Sequence, residues 1–545
     1  MISNPRTFPA RLLALSLLPL LGPGACRSPD AHRRSADREV YEIIRERREA
    51  LAAGGPFSID PPEDSLRDRL LAGEAVGHPP TLVDCLNAAA ENSRDYRARR
   101  ESLYLSALDL TLERWNFSAK GSGTIEGFVE GQGRTGQSHG ILSDWGITKL
   151  LGSGLSVAGN LGLDLTRDLG QGDGWKALSD LSLTVTQPLL RGFGEEIVRE
   201  PLTQAERNVL YEARSYERFR RTFAFDVASR FFRILEQRAT LENEESNYEG
   251  LQTLRQRNEA FAEAGLLNDI QVDQARQDEL RARNRVIDAR RNLESALDDF
   301  KFFLGLPIEA EFSVDAEGLL ELEAWKELEL EFPEEEVVEV ALARRLDHLT
   351  TADRVVDAER RVRVAADALR PGLGLAVSGS AASDSGQPLD YSGDASDWSV
   401  SLELDLALER LPERNAYRAA LIAFEGARRA AEASADGIRS DLRDSIRRLA
   451  AGRESYEIQT GAVVLAERRV ESAQLNLEAG RASTRDVLEA QEDLLGARNA
   501  ASSALTEYVL SGLALYRDME LVCVTPEGID IDPTPLLEAI GGSQP

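Results

Sequence analysis

The feature that most constrains this chain is an internal repeat. Residues 263–284 align without a gap with residues 478–499, an offset of 215 positions, and ten of the aligned residues are identical. A weaker match aligns residues 82–115 with residues 336–369, at an offset near 254. Because this offset exceeds 215 by 39, the first copy carries about 39 extra residues between its two matched regions. Self-similarity over this distance predicts two copies of one structural unit within the 545 residues.

Each copy is predicted to run helix, strand, loop, strand, long helix, turn and helix. Apolar residues alternate with polar ones in four places: residues 155–165, 181–185, 373–377 and 398–408. A period of two predicts strands with one apolar and one polar face. Leu and Trp opposite Ser, Glu and Asp fit a membrane barrel with lipid outside and water inside. An ordinary antiparallel sheet with one buried face gives the same pattern.

The helices are predicted to be unusually long. Residues 195–264 contain a single proline, Pro201, and a helix of that length spans about 100 Å. After the turn, apolar or small residues recur every three or four positions in both copies, which is typical of coiled-coil packing. A solvated two-helix coiled coil remains an alternative. Gly265 and Gly480 are predicted to end helices in the left-handed conformation, with Asn268 and Ser483 or Thr484 capping the returning helices.

The N-terminus has the pattern of an export signal. Two arginines precede the apolar run at residues 12–21, which is too short to span a bilayer, so residues 1–25 are predicted to be a signal peptide. Small residues before Cys26 resemble a bacterial lipoprotein cleavage box, which makes Cys26 a candidate for lipidation. The polar stretch at residues 26–78 then predicts a lipid-anchored tether.

Composition excludes several classes of function. The net charge of −29 would repel a phosphate backbone, so no nucleic-acid partner is expected. The three cysteines lie far apart and the four histidines are scattered, so neither a metal site nor a cofactor site is expected. Paired carboxylates fall on regular helical faces that imply no pocket, and the chain is therefore not expected to be an enzyme.

Three stretches carry a resemblance to the outer-membrane efflux protein family, the TolC-like channels. Residues 81–92 resemble that family's first helix, residues 183–192 its strand-to-helix junction, and residues 479–491 its periplasmic hairpin tip. The resemblance implies a mainly α fold with a membrane β-sheet. It further implies that three chains share one twelve-stranded barrel, four strands from each, and that their helical hairpins continue as an α-barrel across the periplasm.

This resemblance also implies the organisation of the chain. Residues 79–309 and 334–522 would be two TolC-like repeats, residues 310–333 an equatorial segment and residues 523–545 a C-terminal tail. The extra residues, near 150–166, would add to an extracellular loop or to the barrel rim.

The function that follows is a passive exit duct in the cell outer membrane that extends into the periplasm. The duct would belong to a tripartite efflux or type I secretion system, as a homotrimer opened by a periplasmic adaptor and an inner-membrane pump. The alternative is a lipid-anchored periplasmic coiled-coil scaffold without a pore.

Candidate site residues cluster at the hairpin tips. The family's pore mouth is lined by acids whose matching positions are Asp486 and Glu489, one helical turn apart; ordinary solvated acids at a helix N-terminus are the alternative. The candidates for a closed-state latch or an adaptor contact are Gly265, Gly480, Arg481 and Arg485. For the two arginines, solvated tip charges are the alternative.

Overall fold

A computed structural model describes most of the chain. The described residues are 27–51, 57–62, 64–74, 79–132, 136–168, 174–314, 333–384, 387–525 and 527–542. The predicted signal peptide, Cys26 and most of the predicted equatorial segment lie outside these ranges.

Among the described residues, four strands lie between the helices of the first copy and two between those of the second, whereas the repeat predicts two in each. The helices are α1 (Pro29–Glu49), α2 (Leu66–Leu71), α3 (Leu82–Asn92), α4 (Arg94–Asn116), α5 (Glu195–Val198), α6 (Glu200–Glu263), α7 (Asp269–Leu304), α8 (Glu334–Arg344), α9 (Leu346–Asp367), α10 (Leu411–Glu478), α11 (Thr484–Asp518) and α12 (Thr534–Gly542). The strands are β1 (Lys120–Gln132), β2 (Gly136–Leu150), β3 (Ser156–Asp168), β4 (Lys176–Pro188), β5 (Gly372–Ser383), β6 (Tyr391–Asp405), β7 (Val522–Thr525) and β8 (Gly528–Ile531).

Two long helical hairpins dominate the molecule. Helix α6 has 64 residues and α10 has 68, so each is about 100 Å long at 1.5 Å per residue. Each carries a proline in its first turn, where no intrahelical N–H bond is lost. Helix α7 returns along α6, α11 returns along α10, and α6 contacts α11, so the hairpins lie side by side. No described helix combines the length and the apolarity needed to cross a lipid bilayer.

The main sheet has six antiparallel strands in the order β1 to β6. The prediction of four strands per protomer is therefore wrong for this chain. Residues 150–166, predicted to add to a loop or to the barrel rim, instead span the end of β2, the turn and most of β3, and the two strands beyond the predicted four are β1 and β2. Glycines weaken the alternation across residues 120–150, because a strand glycine supplies no side chain to either face. For that reason the sequence pattern did not reveal β1 and β2.

The two faces of this sheet differ sharply in chemistry. One row of paired residues joins Ile147, Leu183 and Trp398, whereas the next row joins Thr148, Thr184 and Ser399. We call the first kind of row the apolar face and the second the polar face. Large side chains on the apolar face remain uncovered, and Trp398 is 81% exposed. Within the described protomer this is not a sheet with one buried face.

The first described helix is not a tether. Val40 and Ile44 of α1 are fully buried and join the core that α3, α4 and α6 form. The Nε of Arg48 lies 2.8 Å from a carboxylate oxygen of Glu217 on α6, and both side chains are nearly inaccessible. The tether prediction is thus wrong over residues 29–49, where a helix is docked onto the hairpin.

The C-terminal segment also folds back onto the helices. Strands β7 and β8 pair with each other, and Leu536 of α12 is fully buried against α8. Just before β7, the carboxylate of Glu520 is 2% exposed and is held by Arg218, at 2.5 Å, and by Arg221. The elements β7, β8 and α12, which fall largely within the predicted C-terminal tail, are therefore packed against the helices.

Candidate functional site

The tips of the two hairpins have the same backbone geometry. Gly265 and Gly480 have φ of 74° and 68°, the left-handed region that favours glycine. The N–H of Leu266 donates to the carbonyl of Phe261, and that of Arg481 donates to the carbonyl of Asn476, each at 2.8 Å. This six-residue closure is the Schellman motif. The prediction that both glycines end helices in this conformation is confirmed.

Side chains cap the returning helices. The Oδ1 of Asn268 accepts a hydrogen bond from the N–H of Gln271 at 3.0 Å. The Oγ of Ser483 accepts from the N–H of Asp486 at 3.4 Å, and the Asp486 carboxylate accepts from the Ser483 N–H at 2.7 Å. The reciprocal pair is a capping box, so Ser483 rather than Thr484 is the cap.

Asp486 is solvent-exposed, and its carboxylate is readily ionised. The hydrogen bonds from the Ser483 backbone and hydroxyl lower the pKa of Asp486 below its usual range, and nearby Arg485 lowers it further. A carboxylate with a lowered pKa stays ionised at neutral pH. The residue thus serves as a helix cap and at the same time presents a permanent negative charge at the hairpin tip.

Glu489 and Arg485 pair along their own helix. The Nε of Arg485 lies 2.9 Å from a carboxylate oxygen of Glu489, and both side chains are more than half exposed. A surface pair of this kind contributes little to stability. Arg481 is also exposed, and its guanidinium forms no ion pair with the part of the protomer that the structure describes. Within one protomer, the two arginines do not latch the hairpins together.

A polar groove of about 290 Å³ runs between the hairpins close to the tips. Glu489 and Arg485 line it from α11, and Gln274, the first-copy counterpart of Glu489, lines it from α7. Asp486 lies outside this groove. Of the two predicted pore-mouth acids, Glu489 therefore faces the seam between hairpins, while Asp486 projects from the tip itself.

Two contacts that sequence reasoning missed join the hairpins above the tips. Asn258 donates a hydrogen bond from Nδ2 to the Oγ1 of Thr484 at 3.2 Å, and both side chains are fully buried. The Nη1 of Arg257 lies 3.3 Å from a carboxylate oxygen of Glu478. A polar Asn on an otherwise apolar seam is the sequence signal that could have found the first contact.

Gly480→Ala is expected to destabilise the hairpin by about 1–2 kcal/mol, the cost of a left-handed alanine. Open space surrounds the position where the new Cβ would stand, so no steric clash adds to that cost. Gly461→Ala is the matched control, because Gly461 lies inside α10 with similarly open surroundings, and alanine there should stabilise by about 1 kcal/mol. Thermal loss of helical circular dichroism in detergent measures both. Equal shifts for the two variants would contradict the tip geometry.

Among the described residues, no group of three or more His, Cys, Asp or Glu side chains is placed to hold a metal ion. Burial raises the pKa of the Cys85 thiol well above its usual range, so that thiol stays protonated. At the hairpin tips, the described side chains are exposed charged groups and hydrogen-bonded helix caps.

Comparison with known proteins identifies the fold. The family model described as outer membrane efflux protein matches residues 160–306 and 337–519, which is more than half of the chain. The chain belongs to the outer membrane efflux protein family. No curated protein matches it. The first match begins within β3, so β1 and β2 lie outside the matched residues.

Solved channels of the same fold are similar over nearly their whole length. CusC shares 14% identity with a TM-score of 0.58, over 85% of this chain and 96% of that one. VceC of Vibrio cholerae shares 14% identity with a TM-score of 0.57, over 80% and 95%. The Campylobacter jejuni CmeC outer membrane channel shares 14% identity with a TM-score of 0.58, over 85% and 94%. At these identities the comparison establishes the shared fold of this efflux protein.

Proposed function

We propose that three copies of this efflux protein form a passive exit duct in the outer membrane. The duct extends from the membrane into the periplasm. The observation that carries the proposal is the sheet, whose apolar face is uncovered and whose opposite face is lined by Ser, Thr, Asn and Asp. A closed ring of such sheets places the apolar face against lipid and the polar face around water. The two-fold repeat would then give each chain two hairpins, of which only the second carries the acids Asp486 and Glu489.

The dimensions of the elements support this placement. Strands of 13 residues are about 43 Å long, and at a tilt near 45° they cover the roughly 30 Å hydrocarbon core. The helical hairpins leave the same end of the sheet, because α4 and α9 lead into strands while α6 and α10 follow them. Their length of about 100 Å is that of a conduit through the periplasm.

The duct itself supplies no chemical step in this proposal. A periplasmic adaptor and an inner-membrane pump would open it and supply the energy, in a tripartite efflux or a type I secretion system. Opening would be a rigid-body movement of the hairpins, whose tips lie at Gly265 and Gly480. Lipidation of Cys26 would add an anchor to the inner face of the outer membrane.

The rival function, a coiled-coil scaffold in the periplasm, does not explain why the apolar face of the sheet is uncovered. Leu181, Leu183, Val400 and Leu402 are each about half exposed or more, and a water-soluble protein rarely leaves so large a contiguous patch bare.

Reconstitution in planar lipid bilayers tests the proposed function. The purified protein is expected to insert and to conduct ions with a preference for cations, because its net charge is −29 and Asp144, Asp164 and Asp180 lie on the polar face. A protein that is fully water-soluble without detergent and never conducts would support the scaffold instead.

The double variant Asp486→Asn and Glu489→Gln is expected to weaken block of the pore by divalent cations from the periplasmic side by about tenfold, since a trimer would lose six charges near its axis. Asparagine keeps the oxygen that accepts the Ser483 hydrogen bonds, so the cap should survive. The control neutralises two exposed acids far from the tips, Asp436→Asn and Glu457→Gln. Unchanged block in the tip variant would assign both acids to the solvated surface.

A further inference from the structure

The sheet of one chain has two strands, β1 and β2, beyond the four that the family resemblance implies. We propose that the outer-membrane barrel of this protein contains eighteen strands, six from each of three copies, and that β1 of one copy pairs with β6 of the next. This inference rests on the proposed function, since it specifies the pore that the duct would have.

The extra strands are continuous with the rest of the sheet. Strand β2 pairs with β3 over 13 residue positions, from Leu150 opposite Ser156 to Ser138 opposite Asp168, without a register shift. That is as long as any other pairing in the sheet. A hairpin folded away from the wall would not share a full-length ladder with it.

The extra strands also keep the two-faced pattern. On the apolar face of β1, Ile125 and Val129 are 55% and 84% exposed, and the ring of Trp145 lies over Gly123 and fills the space that glycine leaves. On the opposite face, Ser122, Thr124 and Glu126 continue the polar rows of β3 and β4, although Phe128 and Leu142 are apolar exceptions there. Lipid and water would therefore meet the same surfaces of β1 and β2 as of the other strands.

The stagger of the strand ends continues through all six strands at a tilt that suits a closed barrel. A line through successive paired residues joins Lys120, the first residue of β1, to Ser399 of β6. Strand β6 continues from Ser399 to Asp405, six residues further towards the helical end. Six residues correspond to about 20 Å, and five strand spacings to about 24 Å. If the strands tilt by about 40° from the barrel axis, their helical ends therefore lie at the same height along that axis. This tilt is within the usual range for barrels.

Both edges of the sheet need a partner. Strands β1 and β6 have 13 and 15 residues, and neither has a second neighbour among the described strands. Unpaired backbone N–H and C=O groups are not tolerated in lipid. An identical copy supplies the missing neighbour on each side, since the β6 edge of one copy and the β1 edge of another are comparable in length and share the apolar and polar alternation.

The consequence is a wide outer-membrane section. Eighteen strands at a tilt near 40° enclose a ring about 36 Å across between backbones, against about 24 Å for twelve. Barrels of this strand number leave an open aqueous channel. The outer-membrane section would then not sieve small solutes, and selection by size would fall to the hairpin tips.

Cysteine cross-linking between copies tests which strand lies at the seam. The background is the full chain with Cys523→Ser, which retains Cys26 and the buried Cys85, 1% exposed, and the same background without introduced cysteines is the control for cross-links through these two thiols. Ile125→Cys on β1 is combined in turn with Trp398→Cys, Val400→Cys and Leu402→Cys on β6, and the membranes are treated with a flexible bismaleimide. At least one pair is expected to give covalent dimers and trimers.

A second pair and a deletion complete the design. Leu163→Cys on β3 with Val400→Cys should give no cross-link between copies in the full chain. The same pair should cross-link once residues 120–150 are deleted, because β3 then becomes the edge; Lys120 and Thr148 are paired, so the chain can be rejoined there. If the deletion variant does not fold, the cysteine pairs in the full chain still show whether β1 or β3 lies beside β6 of the next copy.

The outcomes separate the two proposals. Cross-links from β3 to β6 in the full chain, with conduction in bilayers, would overturn the eighteen-stranded barrel and leave the duct intact. A protein that neither cross-links at any edge nor conducts would overturn both.

Discussion

Leu183→Arg will prevent most of the protein from assembling in the membrane. Leu183 lies near the middle of β4, on the apolar face and 53% exposed, between Gly159 and Gly379 on the neighbouring strands. An arginine at the lipid face near the bilayer midplane costs about 2–4 kcal/mol. In a trimer this cost is incurred three times, so the loss of assembled protein should be severe.

Ser182→Arg is the matched control for this variant. Ser182 is the preceding residue, so its side chain points to the polar face, where it pairs with Asn160 and Ser380. An arginine there reaches water, and assembly should be nearly unchanged. The measurement is the fraction of protein that refolds into lipid vesicles and resists protease. Equal loss in both variants would show that the two faces do not meet different solvents.

Glu520→Gln is the variant with the second large effect. The carboxylate of Glu520 accepts from Arg218 at 2.5 Å and from Arg221, and it is almost completely buried. Its backbone has φ of 60°, an uncommon conformation for a residue other than glycine. Removing the charge leaves two arginines close together without their shared partner. The expected cost is about 3 kcal/mol, the lower end for breaking a buried pair, because both arginines are partly exposed.

The control is an exposed pair of the same kind. Glu467 lies 2.9 Å from Arg498 between α10 and α11, and both side chains are well exposed. Glu467→Gln should therefore cost less than about 1 kcal/mol. The temperature at which helical circular dichroism is lost in detergent compares the two variants. If Glu520→Gln melts no lower than Glu467→Gln, the buried cluster does not hold the C-terminal segment in place.

The local rules of turns and caps were readable from the sequence. A glycine after a long apolar-periodic run predicts a left-handed helix end, and a Ser three residues before an Asp predicts a capping box. Gly265, Gly480 and Ser483 follow these rules because the interactions involved span only a few residues. The long helices followed for the same reason, since their only prolines stand in first turns.

The features that sequence reasoning missed depend on contacts between distant segments. The docking of α1 rests on burial against α6 and on the Arg48–Glu217 pair, whose partners lie 169 positions apart. The strand pair β1–β2 is rich in glycine, and Trp145 compensates for Gly123 only once the register is known. The Asn258–Thr484 contact likewise joins two hairpins that no local pattern brings together.

A reconstruction by electron cryo-microscopy of the detergent-solubilised full chain tests the central claim most directly. We expect three copies around one axis, with their sheets joined edge to edge and a continuous solvent-filled lumen from the strands down to the tips at Gly265 and Gly480. Helices packed solidly side by side, with the edges of β1 and β6 left free and no enclosed space, would contradict the account.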